Sequence, residues 1–120
     1  MSLIPVTVGN LKLIEGPRAA ALLTSADDIT SVVEACFAAR TLRALLYAEN
    51  LPDAFFDLSS RQAGEMLQKL RNYGVRLAVV ATPDATMSRR FGEMLAEERM
   101  GRAFGMFETR AAALEWLGKD

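Results

Sequence analysis

Apolar residues along this chain come as short runs and as spaced stripes, and the two patterns alternate. LIPVTVGNLKLIEG holds two β-rich runs joined by Gly9-Asn10, a dipeptide suited to a two-residue hairpin turn. Gly16-Pro17 stops the second run, because proline has no N–H to give a sheet ladder. A hairpin is therefore expected over about residues 3–15. RAAALLT fits a loop or a helical turn equally well. Ser25, with Asp28 three residues on, forms a capping box with Asp in place of Glu. Ile29, Val32, Val33, Cys36 and Phe37 then share one helical stripe, which predicts a first helix from about Asp27 to Ala38. LRALLYA is short, apolar and bounded by polar residues, the pattern of a buried strand. The next helix carries Ala63, Met66, Leu67, Leu70 and Tyr73 on its stripe, with Gly74 placed to turn left-handed just past its end. VRLAVVA reads as another buried strand, closed by Thr82-Pro83-Asp84. A helix over about Ser88 to Arg99, with Phe91, Met94 and Leu95 inward, leads to AFGMF, a short final strand. Thr109 can cap a last helix in which Ala113, Leu114 and Leu117 face inward and Trp116 lies beside them.

The order β-β-α-β-α-β-α-β-α predicts one α/β domain, with a hairpin followed by β/α units over about residues 27–118. Its sheet should have five strands, mainly parallel, with one antiparallel strand at an edge. If successive strands are neighbours, right-handed crossovers put every helix on the same face. The opposite face then has to be covered by the hairpin, by another chain or by water over polar residues. Strands this apolar argue against water, so a homodimer is one expectation.

Composition narrows the function classes more than it names one. A chain of 120 residues, 51% hydrophobic and 24% charged, is ordinary for one globular domain. A net charge of −1 leaves no electrostatic footprint for nucleic acid, and no Lys/Arg run suggests a membrane surface. No apolar run approaches the roughly 20 residues that span a bilayer, and MSLIPVTVGN lacks the cationic start of a signal peptide. A reduced, cytoplasmic protein is expected. Cys36 is the only cysteine, which rules out an internal disulfide and a thiolate metal cluster within the chain. Histidine is absent, so Ser-His-Asp and Cys-His machinery cannot be built from one chain, and the usual zinc and iron ligand is missing. No glycine-rich phosphate loop occurs. Neither a metal nor a cofactor is expected.

LLYAENLPDAFFDLSSRQAGEMLQKLRNYGVRLAVV, followed by RFGEMLAEERMGRAFGMFETRAAALEWL, resembles the bacterial domain-of-unknown-function family 4180. The matching motifs are a strand leading into E-N-L-P-x-x-F-F-x-L, then A-G-x-x-L-Q-K, R-F, a G-x-x-F-x-x-F strand and a terminal E-W-L helix. The resemblance covers about Glu34 to Leu117 and implies a small bacterial protein, without implying an activity. A wider resemblance is to STAS domains, the fold of sporulation anti-sigma factor antagonists, which run through the same order of elements. These carry D-S-S-G at a helix start, and a partner kinase phosphorylates its first serine. Asp57-Leu58-Ser59-Ser60 stands in that place, with Leu58 where the phosphorylated serine would be and the glycine only at Gly64.

One stretch, Glu49 to Lys69, holds most of the candidate functional residues. Glu49 and Asn50 directly follow an apolar strand, and ligands of parallel sheets gather outside the C-terminal strand ends. The plainer alternative is that Asn50 satisfies backbone groups of the turn while Glu49 pairs with a surface arginine. A lone Glu without a second carboxylate or a histidine makes no acid–base pair. Phe55 and Phe56 either tuck the loop over the core or mark a partner patch. Asp57, Ser59 and Ser60 can cap the next helix; the other reading is an anion site there, with Arg61 in the same turn and Ser59 as a phosphorylation candidate. Arg89 and Arg90 are either a solvated pair or an anion contact beside the Glu49 loop. Cys36 and the methionines Met66, Met94 and Met106 read as core. The leading expectation is a non-enzymatic regulatory module that meets a protein partner through the Glu49 to Ser60 loop. The alternative is a small-molecule or lipid binder, or an enzyme, with a crevice at the C-terminal strand ends.

Overall fold

A computed structural model describes residues 3–17, 28–50, 62–80 and 104–118. These residues build one five-stranded sheet in the order β1-β2-β3-β4-β5, so strands adjacent in sequence are adjacent in space. Strand β1 (Ile4–Val8) pairs antiparallel with β2 (Leu11–Glu15). Parallel pairing then runs from β2 to β3 (Arg43–Tyr47), from β3 to β4 (Arg76–Val80) and from β4 to β5 (Phe104–Phe107). The sheet is mixed, with the hairpin as its antiparallel edge. Of the turn pair, only Gly9 takes a positive φ, 61°, the arrangement of a II′ hairpin turn.

Helices α1 (Ile29–Ala38) and α2 (Gln62–Tyr73) pack on one face of this sheet. Their buried stripes, Ile29, Val32, Val33 and Cys36 on α1 and Met66, Leu67 and Leu70 on α2, meet Ile14, Ala44, Leu46, Leu77, Val79 and Phe104 from the strands. The expected stripes hold at their centres and fail at their C-terminal ends. Phe37 is 50% exposed and Tyr73 is 52% exposed, their rings packed edge-on at 5.9 Å between centroids. Each stands beyond the last residue of its helix that reaches the sheet. Helix α1 is described from Ile29, and Asp28 takes the N-cap position without a side-chain cap bond; Asp27 lies outside the described residues. Ser25, the other half of the expected capping box, and the helix expected over about residues 88–99 lie outside the described residues.

Both helices end in the same way. Thr41 N–H bonds the carbonyl of Cys36, and Arg40 N–H that of Phe37; likewise Val75 N–H bonds that of Leu70, and Gly74 N–H that of Arg71. This is the Schellman motif, in which the residue after the cap is left-handed. Gly74 (φ 72°) fills that place on α2, as its sequence position predicts. On α1 it is filled by Arg40, at φ 59°, which costs about 1 kcal/mol that glycine would not incur.

The third described helix, α3 (Arg110–Leu117), lies on the opposite face of the sheet, against the expectation that every helix shares one side. Crossover handedness binds only a helix that joins two parallel strands, and α3 follows the last strand of the sheet. Its Ala113 and Leu117 are buried with Leu13, Leu45, Tyr47 and Ala78, and Val6, Leu11, Phe107 and Trp116 close around them. Thr109 caps the helix as expected, its hydroxyl accepting from Ala112 N–H at 3.1 Å. The face that motivated a homodimer is thus covered from within the chain. Two arginines at the N-terminal strand ends hold the far end of α3. Arg43 Nε donates to the Leu117 carbonyl at 2.7 Å, and Arg76 Nη2 to the Trp116 carbonyl at 3.0 Å. The Arg76 guanidinium also sits 4.5 Å from the Trp116 ring centroid. Cations placed on the terminal carbonyls satisfy orphan acceptors and oppose the negative end of the helix dipole.

Candidate functional site

Strands β2 and β3 end side by side, with Glu15 opposite Leu45 in the parallel register. A 3₁₀ turn, Ala48–Asn50, follows β3 and carries the two residues that the sequence singles out at a strand end. The structure separates them. Glu49 is exposed and has no ion-pair partner among the described residues. Asn50 is fully buried. Its Oδ1 accepts the Tyr47 backbone N–H at 2.8 Å, and its Nδ2 donates to the Pro17 carbonyl at 2.7 Å. One amide therefore closes the turn and ties it to the end of β2. Its neighbour there is Gly16, where a Cβ would stand 2.5 Å from Asn50 Oδ1 and 2.9 Å from Leu46 Cδ2. Proximity, and not backbone angle, is what requires glycine at this position. The reading in which Asn50 satisfies backbone groups of the turn is the one its geometry fits; a surface contact through its amide has no room.

Beside this turn, on the α3 face, lies a polar cluster that sequence reasoning missed. The Tyr47 hydroxyl donates to Glu15 Oε2 at 2.5 Å. Arg110, at the start of α3, grips the same carboxylate with both arms of its fork, Nε to Oε2 at 3.1 Å and Nη2 to Oε1 at 3.0 Å. The Glu15 side chain is 13% exposed and that of Arg110 34%. The hydrogen bond to Glu15 is the main cause that raises the Arg110 guanidinium further above its already high ordinary pKa. Such a cluster anchors; its carboxylate is already neutralised and hydrogen-bonded by protein groups. A hydroxyl in an otherwise apolar strand was the one available signal, since a buried Tyr O–H needs a partner. Nothing in the local sequence points from Tyr47 to Arg110.

The remaining candidates, Phe55, Phe56, Asp57, Ser59, Ser60, Arg61, Arg89 and Arg90, lie outside the described residues. Cys36 is buried, and loss of solvent pushes its thiol from 9.0 up to about 12, so it is no nucleophile near neutral pH. Among the described residues no cluster of His, Cys, Asp and Glu is placed to hold a metal ion. None of the described helices is long and apolar enough to cross a membrane.

Fold and strand-end geometry together define a small α/β domain, with helices on both faces of a mixed five-stranded sheet and a locked turn after its central strand. The chain belongs to the family described as Domain of unknown function (DUF4180), whose model matches residues 8–117. That span contains the Glu15–Tyr47–Arg110 cluster, Gly16 and Asn50. No curated protein and no solved structure matches the chain.

Proposed function

We propose that this protein is a non-enzymatic, cytoplasmic regulatory module of STAS-like topology, acting through a protein partner that docks at the C-terminal strand ends. The observation that carries this reading is the contrast within one short turn. Asn50 and the nearby Glu15, Tyr47 and Arg110 are committed to internal bonds, while Glu49 presents an exposed, unpaired carboxylate at the sheet's end. An exposed charge on a tied-down turn suits recognition, and catalysis there lacks a second titratable group with a freedom to move protons. Phe55, Phe56 and Ser59 follow Glu49 in the chain and belong to the same proposed face, with phosphorylation of Ser59 as its means of regulation.

The test is affinity capture from the native host with the wild-type chain, with Glu49→Arg and with Ser59→Asp, each first shown to melt at the same temperature. Partners retained by wild type should be lost from Glu49→Arg and altered in Ser59→Asp. Recovery of the same proteins by all three refutes the proposed face.

A further inference from the structure

A groove lies at the end of the sheet opposite the Glu49 turn. It is an open cleft of about 510 Å3 where the hairpin turn, the end of α1 and the start of β3 converge. It is lined by two residues with free cationic side chains, Lys12 and Arg40, together with Phe37, Leu42, Asn10 and the start of β3 at Arg43, whose guanidinium is turned to the α3 face. Thr41 braces the cleft, donating its hydroxyl to the Lys12 carbonyl at 2.6 Å and accepting Arg43 N–H at 3.2 Å. No carboxylate lines it among the described residues. The Lys12 ammonium and the Arg40 guanidinium make no hydrogen bond or ion pair there. In a chain whose net charge is −1, two such cations beside one cleft are a local excess that favours an anion.

A second observation is independent of the first. Arg40 occupies the left-handed position that ends α1, while the same position on α2 is held by Gly74. Glycine is the ordinary residue there, and an arginine is held in a backbone conformation that L side chains avoid. Strain of this kind, at a residue that lines a cleft, points from conformation to function.

We propose that this groove binds a small organic anion, a carboxylate or phosphate bearing an apolar portion. Arg40 and Lys12 meet the charge, and the half-exposed Phe37 and Leu42 meet the apolar part. Guanidinium groups suit either headgroup through paired N–H donors, and the cleft's volume lies within the range of small-molecule sites. The site is distinct from the Glu49 face, since β3 runs from Arg43 at the groove to Tyr47 at the turn.

Calorimetric titration with phenyl phosphate, benzoate, inorganic phosphate and neutral benzyl alcohol tests it. Phenyl phosphate or benzoate should bind saturably, with the better of the two identifying the headgroup; inorganic phosphate should bind more weakly and benzyl alcohol not at all. Arg40→Gly is the decisive variant, because glycine relieves the backbone while removing the cation. It should melt no lower than wild type yet bind at least about tenfold more weakly, whereas Arg40→Lys should retain most of the affinity. Lys12→Gln should also weaken binding, and added salt should do the same. Absence of saturable binding by both aromatic anions up to millimolar concentration overturns the proposal, as does unchanged affinity in Arg40→Gly.

Discussion

Replacing Asn50 by alanine should be among the most damaging single changes available in the described structure. The side chain is fully buried and serves two backbone groups, the Tyr47 N–H and the Pro17 carbonyl. Alanine leaves both without that partner, and an unsatisfied buried donor or acceptor costs about 1–3 kcal/mol, so a loss of about 2–6 kcal/mol is expected. Against a typical total of about 5–15 kcal/mol, that brings the fold near its threshold. Aspartate should not rescue, because it keeps the acceptor for Tyr47 but offers the Pro17 carbonyl a second acceptor and buries a charge. Gly16→Ala should cost about 1–3 kcal/mol by overpacking, since its Cβ would meet Asn50 Oδ1 at 2.5 Å. The two losses should not add. Asn50→Ala removes the atom that blocks the new methyl group, leaving only the movable end of Leu46, so the double variant should be more stable than the sum of losses by about 1 kcal/mol. Urea unfolding of the four proteins, followed by circular dichroism, measures the cycle. Strict additivity, or a loss below about 0.5 kcal/mol in Asn50→Ala, would show that the amide does not lock this turn.

Two further outcomes follow from the same geometry. Folding holds the Cys36 thiol protonated up to about 12, whereas the unfolded chain loses that proton above 9.0. The native state therefore binds more protons in this window: stability is full below it and falls by up to about 1.4 kcal/mol per pH unit as pH rises through it. Comparing urea midpoints of wild type and Cys36→Ala across that range should give a flatter slope for the alanine variant; parallel slopes would place the thiol in contact with water. At the other face, Glu15→Gln keeps the shape of the cluster but removes the charge that Arg110 grips, and Arg110 is partly solvated, so a loss of about 1 kcal/mol is expected. Amide exchange in α3 should quicken in that variant, and unchanged exchange there would show that Arg110 does not anchor the helix.

The elements legible in the sequence were those specified by neighbours. Gly9 in the hairpin, Gly74 after α2 and Thr109 before α3 each act within a few residues, where local rules are strong. Phe37 and Tyr73 were misplaced because helical periodicity marks a stripe but not where the sheet beneath it ends. The position of α3 was misread for a related reason. Its amphipathic pattern says that one side is buried and leaves the face of the sheet open; the anchors that settle it, Arg43, Arg76 and Glu15 with Arg110, connect residues distant along the chain. Asn50 sits between these cases. Its place at a strand end drew attention to it, yet the same position serves a ligand or a turn, and only the approach of Pro17 and Gly16 distinguishes the two.

Helices α1 and α2 supply a comparison within one molecule. Both end in the same pair of backbone hydrogen bonds, both hand the chain to a parallel strand of the same sheet, and both place the residue after the cap left-handed. The α2 end follows the local rule with Gly74. The α1 end breaks it with Arg40, under otherwise matching constraints, so the backbone geometry itself gives no reason for the difference. Where they differ is in surroundings: a Cβ at Gly74 would meet only the distant end of Leu42, at 3.9 Å, whereas Arg40 stands in the wall of a cleft with a second cation, Lys12. A sequence that departs from local preference at one of two equivalent sites, and does so where like charges gather, is best accounted for by what that cleft holds. The same reasoning sets the N-terminal end of the sheet apart from its C-terminal end, where Glu15, Tyr47, Asn50 and Arg110 are occupied in holding the fold together and Glu49 and Glu108 stand exposed.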